Sequence, residues 1–160
     1  MMKRVLFMML VVFLAMSFGC SSLTPESVRE ILVDKTYYVV FEKEPGITDK
    51  GVYAEAVQKG LQIGSVQSQT PGAAGLVLVK ISVKNEHDGM MKDNVVFYVS
   101  GHRLEYETVG DSGKPLSEGA KLLGFNGKPG LYWFKTKTKV KSISDAAVSK
   151  AQELYEAFEK

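Results

Sequence analysis

The sequence predicts a mainly β fold, a small barrel or sandwich, followed by one amphipathic helix. Three observations lead there. Short β-branched and aromatic runs recur at close spacing between residues 37 and 141, with glycine and proline turns between them. One run alternates throughout, with Leu76, Leu78, Lys80, Ser82 and Lys84 on one face and Val77, Val79, Ile81 and Val83 on the other. Past residue 142 the apolar period lengthens. Ile143, Ala147, Ala151, Leu154, Tyr155 and Phe158 then fall on one face of a helix.

Taken in order, the first strand is "YYVVFEK" (37–43), and "PGITDKG" (45–51) is turn material. Leu61 to Val66 alternates, "TPGAAG" (70–75) breaks the chain, and "LVLVKISVK" (76–84) is the next strand. "NEHDGMMKDN" (85–94) is a loop with room for a helical turn. "VVFYVS" (95–100) and "LEYETV" (104–109) are strands joined by the short turn Gly101-His102-Arg103. "GDSGKP" (110–115) is another turn, after which "AKLLGF" (120–125) and "LYWFKTKTKVK" (131–141) complete the β part. Ser142 or Ser144 can cap the final helix, and Asp145 sits near its positive dipole end.

The first residues read as an export signal. Lys3 and Arg4 precede an apolar run from Val5 to Phe18, interrupted only by Ser17, and Gly19 leads into Cys20. The run is short for a membrane span, which needs about 20 apolar residues. A cysteine directly after a small residue matches a lipoprotein cleavage site, where Cys20 would carry diacylglycerol and become the mature N-terminus. Acyl chains contribute roughly 0.8 kcal/mol per buried CH₂, enough in pairs to hold a protein on a bilayer. An uncleaved signal anchor and ordinary secretion are the other two readings. All three put the folded part outside the cytoplasm. The expected division is a signal peptide over 1–19, an anchor and tether over 20–36 in which Thr24-Pro25-Glu26 can open a short helix, the β domain over 37–141, and the helix over 142–160. Ser21 lacks the aspartate that often marks inner-membrane retention, and the choice of membrane stays open.

Charge removes one class of partner. The chain has 20 Lys and Arg against 18 Asp and Glu, and Lys3 and Arg4 leave with the signal. The remainder is balanced, so no basic face for nucleic acid is expected. A single cysteine offers no disulfide, and the fold must stand on packing.

The residues do not suggest an enzyme. His87 and His102 both lie in loops, and His87-Asp88 alone makes no metal site. Gly113-Lys114-Pro115 and Gly127-Lys128-Pro129 lead into proline where a phosphate-binding loop has a hydroxyl residue. No serine sits in a nucleophile elbow. No cofactor is expected. Lys135, Lys137, Lys139 and Lys141 would line one face of an extended segment. They read either as a solvated edge that discourages strand pairing or as a contact for anionic headgroups or an acidic partner. The helical stripe either packs on its own barrel or meets the same helix in other subunits.

In order, "VVFEKEPGI" (39–47), "KGLQIGSVQS" (59–68), "GLVLVKISVKNEHDGMMKDNVVFYVSG" (75–101) and "LSEGAKLLGF" (116–125) form a pattern. This resembles the mammalian cell entry (MCE) domain, the MlaD-like family of bacterial lipid-transport proteins. The likeness covers residues 37–125. It rests on the Gly46-Ile47 pair, the Gly60-x-x-Ile63-Gly64-x-Val66 stretch, the valine-rich strand and the strand that runs into a central loop. Gly60 and Gly64 also have a physical reading, since glycine at a strand marks a bulge, a bend or close backbone approach.

The resemblance implies a seven-stranded β-barrel assembled as a homo- or hetero-hexameric ring. Loops from each subunit line a lipid-sized pore. An ABC permease and ATPase supply energy, and phospholipid passes between two membranes. Helices after the barrel extend the tunnel in many members, and the stripe at 143–158 could fill that place. The pore loop falls on Gly101, His102, Arg103 and Leu104. Two departures stand out. About three extra residues lie between Ile47 and Gly60. The pore position, usually Gly-Leu-Leu-Gly, reads Ser100-Gly101-His102-Arg103-Leu104. Six Arg103 around one axis would repel unless they splay outward or meet anions such as lipid phosphates. Otherwise Arg103 turns away in a tight hairpin and Leu104 alone faces the axis. The expectation is a lipid-anchored, non-enzymatic subunit on the periplasmic side of the envelope. The alternative is a monomeric lipoprotein that scaffolds an envelope complex and carries no lipid.

Overall fold

Val77, Val79, Ile81 and Val83 point into one core, while Leu78, Lys80 and Ser82 point outward, as the period of two requires. The computed structural model in which this is seen describes residues 33–54, 60–110, 112–138 and 143–160. The export segment, Cys20 and the tether to residue 32 lie outside the described residues, as do Lys139, Lys141 and Ser142.

The strands are β1 (Lys35–Phe41), β2 (Gly51–Ala54), β3 (Leu61–Pro71), β4 (Val77–Val83), β5 (Val95–Ser100), β6 (Arg103–Thr108) and β7 (Lys121–Phe125). They form a closed barrel in the order β1-β4-β3-β2-β6-β5-β7. The pairs β1–β7, β5–β7 and β2–β6 are parallel, and the other neighbours are antiparallel. The expected mainly β barrel with a C-terminal helix is therefore present.

Two apolar clusters explain the strand compositions. The barrel interior takes Tyr37, Val39 and Phe41 from β1, Ile63 and Val66 from β3, the β4 valines, Phe97 from β5 and Leu104 from β6. The second cluster lies outside the barrel wall, where Val40, Val96, Tyr98 and Leu123 meet the helices. Strands β1, β5 and β7 are buried on both faces. That is why "YYVVF", "VVFYV" and "KLLGF" read as nearly continuous apolar runs while β4 alternates.

Tight closure needs glycine at two interior-facing points. A Cβ at Gly64 would run into the Ser82 carbonyl oxygen of β4, so Gly64 marks a close backbone approach. A Cβ at Gly124 would lie 2.6 Å from the Phe41 ring. The barrel also bends at two irregularities, one in β2–β3 at Val52/Tyr53 and one in β3–β4 between Val66 and Ser68.

Two elements differ from the sequence reading. Residues 51–54, in the stretch with about three extra residues and not identified as a strand from the sequence, form β2 and complete the barrel between β3 and β6. Of the segment read as a final strand, 131–141, residues 131–137 are instead helical: α1 spans Lys128–Lys137. Closure accounts for this, because a closed barrel has no free edge for another strand. Pro129 in the first turn presets the helical φ, and Leu131 and Phe134, three apart, lie on the outer wall. Lys135 and Lys137 therefore do not share a face as they would in a strand.

Helix α2 (Ile143–Phe158) packs its stripe on β7 and β1. Ile143, Ala147, Ala151 and Leu154 are buried, and Tyr155 and Phe158 pack on the same cluster half-buried. Of the two readings of this stripe, packing on the chain's own barrel is the one seen for Ile143, Ala147, Ala151 and Leu154. Barrel and helix belong to one compact unit, Asp34–Lys160. No described helix is long and apolar enough to cross a membrane, which says nothing about spanning by strands.

Candidate functional site

The β5–β6 hairpin carries the residues that the sequence marks as a loop lining an axis. Ser100 pairs with Arg103, leaving a two-residue turn. Gly101 and His102 both take positive φ, +54° and +71°, as a type I′ turn requires. Both side-chain positions are exposed. Leu104 is not. It is 0% exposed within the barrel interior, so it is a core residue and cannot face a passage outside the barrel. Of the expected loop residues, only Gly101, His102 and part of Arg103 are presented to the surroundings.

The hairpin tip is clamped by the β1–β2 connection. The His102 carbonyl accepts from the amides of Thr48 and Asp49, each at 3.2 Å. His102 Nδ1 lies 3.1 Å from the Gly46 carbonyl oxygen, which can only accept, so Nδ1 is the donor. Gly46 itself has φ +63°, and it turns that carbonyl toward the hairpin. The glycine of the Gly46-Ile47 pair is thus joined in space to the hairpin it precedes by more than fifty residues.

Arg103 folds back on its own barrel. Its guanidinium carbon lies 4.5 Å from the Tyr53 ring centroid, and Nε lies 3.8 Å from Asp49 Oδ2. Asp49 accepts from the Gly51 amide at 2.8 Å and from the Tyr53 hydroxyl at 3.2 Å. Burial, then the Asp49 carboxylate, pushes the Tyr53 hydroxyl above its ordinary pKa, and Arg103 partly offsets this. The Arg103 charge therefore has a carboxylate partner within the same chain. Neither Asp49 nor Tyr53 stands out in the sequence, because β2 was hidden in an apparent insertion. The alternation of Val52 and Ala54 inward with Tyr53 outward is the signal that could have found it.

A second polar cluster lies where β1 begins. Asp88, in a 3₁₀ turn over Asn85–Met90, accepts from Tyr37 Oη at 2.6 Å and from Lys35 Nζ at 2.7 Å. His87 pairs with Glu86 and not with Asp88. No group of three or more His, Cys, Asp or Glu side chains among the described residues is placed to hold a metal ion.

Among the recesses of the described residues, two are bordered as follows. One, of about 580 Å³, is bordered by Phe125 of β7, Trp133 and Phe134 of α1, and Ala146 of α2. Three of the charged residues that border it pair with one another, Lys150 lying 3.6 Å from Glu42 and 3.2 Å from Glu153. The other, of about 830 Å³, runs along Ile47, Thr48, Gln69 and Leu76. Gln69 Nε2 donates to the Ile47 carbonyl at 2.9 Å across it. Gly60, with φ +93°, starts β3 and faces open space. No family model matches the chain, and no curated protein matches its sequence.

Proposed function

We propose that the chain is a lipid-anchored MCE-type subunit of an envelope phospholipid transport system. It is held through Cys20 and joins a hexameric ring beside an ABC permease and ATPase. The observation that carries this reading is the closed seven-stranded barrel, with a β5–β6 hairpin at the position where the resemblance puts the inward loop. The passage wall would then be built from Gly101 and His102, since Leu104 is enclosed and Arg103 is turned onto Tyr53 and Asp49. Charge repulsion between six arginines is softened by the Asp49 of each subunit. The C-terminal helix does not lengthen a tunnel in this arrangement.

Native mass spectrometry of the detergent-extracted full chain tests the ring, and phospholipid in its organic extract tests the cargo. A photo-crosslinker at position 102 joins them, since a passage residue labels lipid. A chain that stays monomeric with and without a permease and ATPase, and labels no lipid from position 102, overturns the proposal.

The second reading, a monomeric envelope adaptor, is favoured by one observation. The apolar stripe of α2 and the side chain of Leu104, the two features expected to serve assembly and passage, are both consumed within one chain. On that reading position 102 labels protein and not lipid.

A further inference from the structure

Helix α1 leaves its largest side chains in water. Leu131 is fully buried, and Phe134 packs on Phe125 with ring centroids 5.4 Å apart. The two residues between them point elsewhere, Tyr132 being 56% and Trp133 62% exposed. Rings with an apolar body and one polar edge concentrate where water meets lipid, because the body enters the chains while the N–H or O–H stays at the headgroups.

The charges carried by α1 itself are all positive. Lys128, Lys135 and Lys137 lie on α1, which has no carboxylate, and the sequence continues through Lys139 and Lys141 with no acid before Asp145. Lys135 is paired with Glu107 of β6. Lys137 Nζ lies 4.0 Å from the Trp133 ring centroid, so a cation and the exposed indole occupy the same spot. The acids at the edge of the adjacent recess, Glu42 and Glu153, are both engaged by Lys150. An anionic interface fits this surface: lipid phosphates would meet Lys137 while the rings enter the boundary beside it.

We infer that α1 is an interfacial docking helix that seats the barrel on a bilayer containing anionic lipid, through Tyr132, Trp133 and Lys137. This contact is separate from an acyl anchor at Cys20. A chain on a tether is held near a membrane in any orientation, whereas a docked helix fixes which side of the barrel faces the lipid. The inference rests on the envelope location proposed above and does not need the ring.

Trp133 is the only tryptophan in the sequence, so intrinsic fluorescence of the full chain reports this site alone. The full chain is incorporated into vesicles of phosphatidylcholine, with and without phosphatidylglycerol, and quenched with brominated lipid or acrylamide. The apolar leader enters both kinds of vesicle, so the environment of Trp133 is the readout and not total binding. The expected result is a blue-shifted Trp133, quenched by brominated lipid and protected from acrylamide, in the anionic vesicles. Lys137→Gln, compared with itself in neutral vesicles, lowers the docked-to-undocked ratio roughly fivefold, the effect of one lysine near an anionic surface. Tyr132→Ala lowers it as well, with the circular dichroism of the barrel unchanged. Acrylamide access in both vesicle types overturns the inference, and so does equal quenching in both. A photo-crosslinker at position 132 that labels protein and never lipid overturns it in favour of an acidic protein partner. A monomer without extractable phospholipid whose Trp133 still enters the anionic interface would sink the ring and leave the docking helix standing.

Discussion

Tyr37 donates its hydroxyl proton to Asp88 Oδ1 across 2.6 Å, tying the first strand of the barrel to the 3₁₀ turn that follows the fourth. Tyr37 is fully buried in the intact barrel, and Asp88 is the partner its hydroxyl has there. The same carboxylate holds Lys35 at 2.7 Å. Tyr37→Phe removes one hydrogen bond to a charged group and is expected to destabilise the barrel by roughly 1.5–3 kcal/mol, whereas Asp88→Ala removes the bonds from both Tyr37 and Lys35 and should cost more. Urea unfolding midpoints of the two variants check the order.

The same pair sets a pH dependence at each end of the scale. Burial alone would raise the Asp88 pKa, but the hydrogen bonds from Lys35 and Tyr37 outweigh it and hold the carboxyl below its ordinary 3.8. A depressed folded pKa means the stabilisation is present above 3.8 and disappears as pH falls through the folded value. Tyr37 is shifted the other way, upward from 10.0, by burial first and by Asp88 second. Its contribution is present below 10.0 and is lost as the medium becomes more alkaline. Wild type and Asp88→Asn should therefore converge in stability on acidification. A gap that stays constant as pH falls well below 3.8 would show that Asp88 is not the group responsible.

Leu104 and His102, two residues apart at the hairpin, have opposite parts. Leu104→Ala opens a cavity in the barrel interior and should cost roughly 2–5 kcal/mol. His102→Asn keeps a residue type that tolerates φ +71° and should change stability by no more than about 0.5 kcal/mol. Thermal melts distinguish them. With fold and tip so separated, His102→Asn is the variant whose effect on co-purified phospholipid can be read without a change in folding.

Most of the barrel was legible because its strands obey local rules. The alternation of Val77 to Val83 fixes an inside and an outside without reference to any neighbour. The continuous apolar runs of β1 and β5 mark strands covered on both faces. What could not be read depended on the closed topology. "LYWFKTKTKVK" has the composition of a strand, but the closed barrel has no free edge for it, and Pro129 with the Leu131–Phe134 spacing suits the helix at 128–137. The four residues of β2 show only one short alternation, Val52 and Ala54 about Tyr53, and their place in the barrel is set by β3 and β6 on either side. Arg103 illustrates the same limit at the site. Its type and position in the sequence raised a question of repulsion, and the answer, Asp49 and Tyr53, came from an element the pattern did not reveal.

Gly64 is where backbone closure admits no side chain. Its hypothetical Cβ meets the Ser82 carbonyl oxygen, and a backbone atom cannot rotate away as a side chain can. Gly64→Ala should therefore separate β3 from β4 locally and cost at least the 1–3 kcal/mol typical of overpacking, ~2 kcal/mol at the centre of that range. Gly60→Ala meets no atom within 4 Å and is limited to the strain of φ +93°, about 1 kcal/mol. A larger loss at position 64 than at position 60, measured by urea unfolding, is the expected result.

Helix α2 gives the sharpest separation between a chain that completes itself and one that needs others. Ala151 is fully buried and Ala147 nearly so, and these small residues let the helix lie close against β7 and β1. Phe158 at its far end fills the space over Gly72, where a Cβ would collide with the ring. Ala151→Leu adds volume with nowhere to go and should cost roughly 1–3 kcal/mol. The loss should be local, since the barrel interior is a separate cluster from the one beneath the helix. Amide exchange in residues 143–158 should accelerate before exchange in β3 and β4 does. If the stripe instead joined subunits, Ala151→Leu would change the mass of the native assembly and leave the exchange pattern of the monomer as it was.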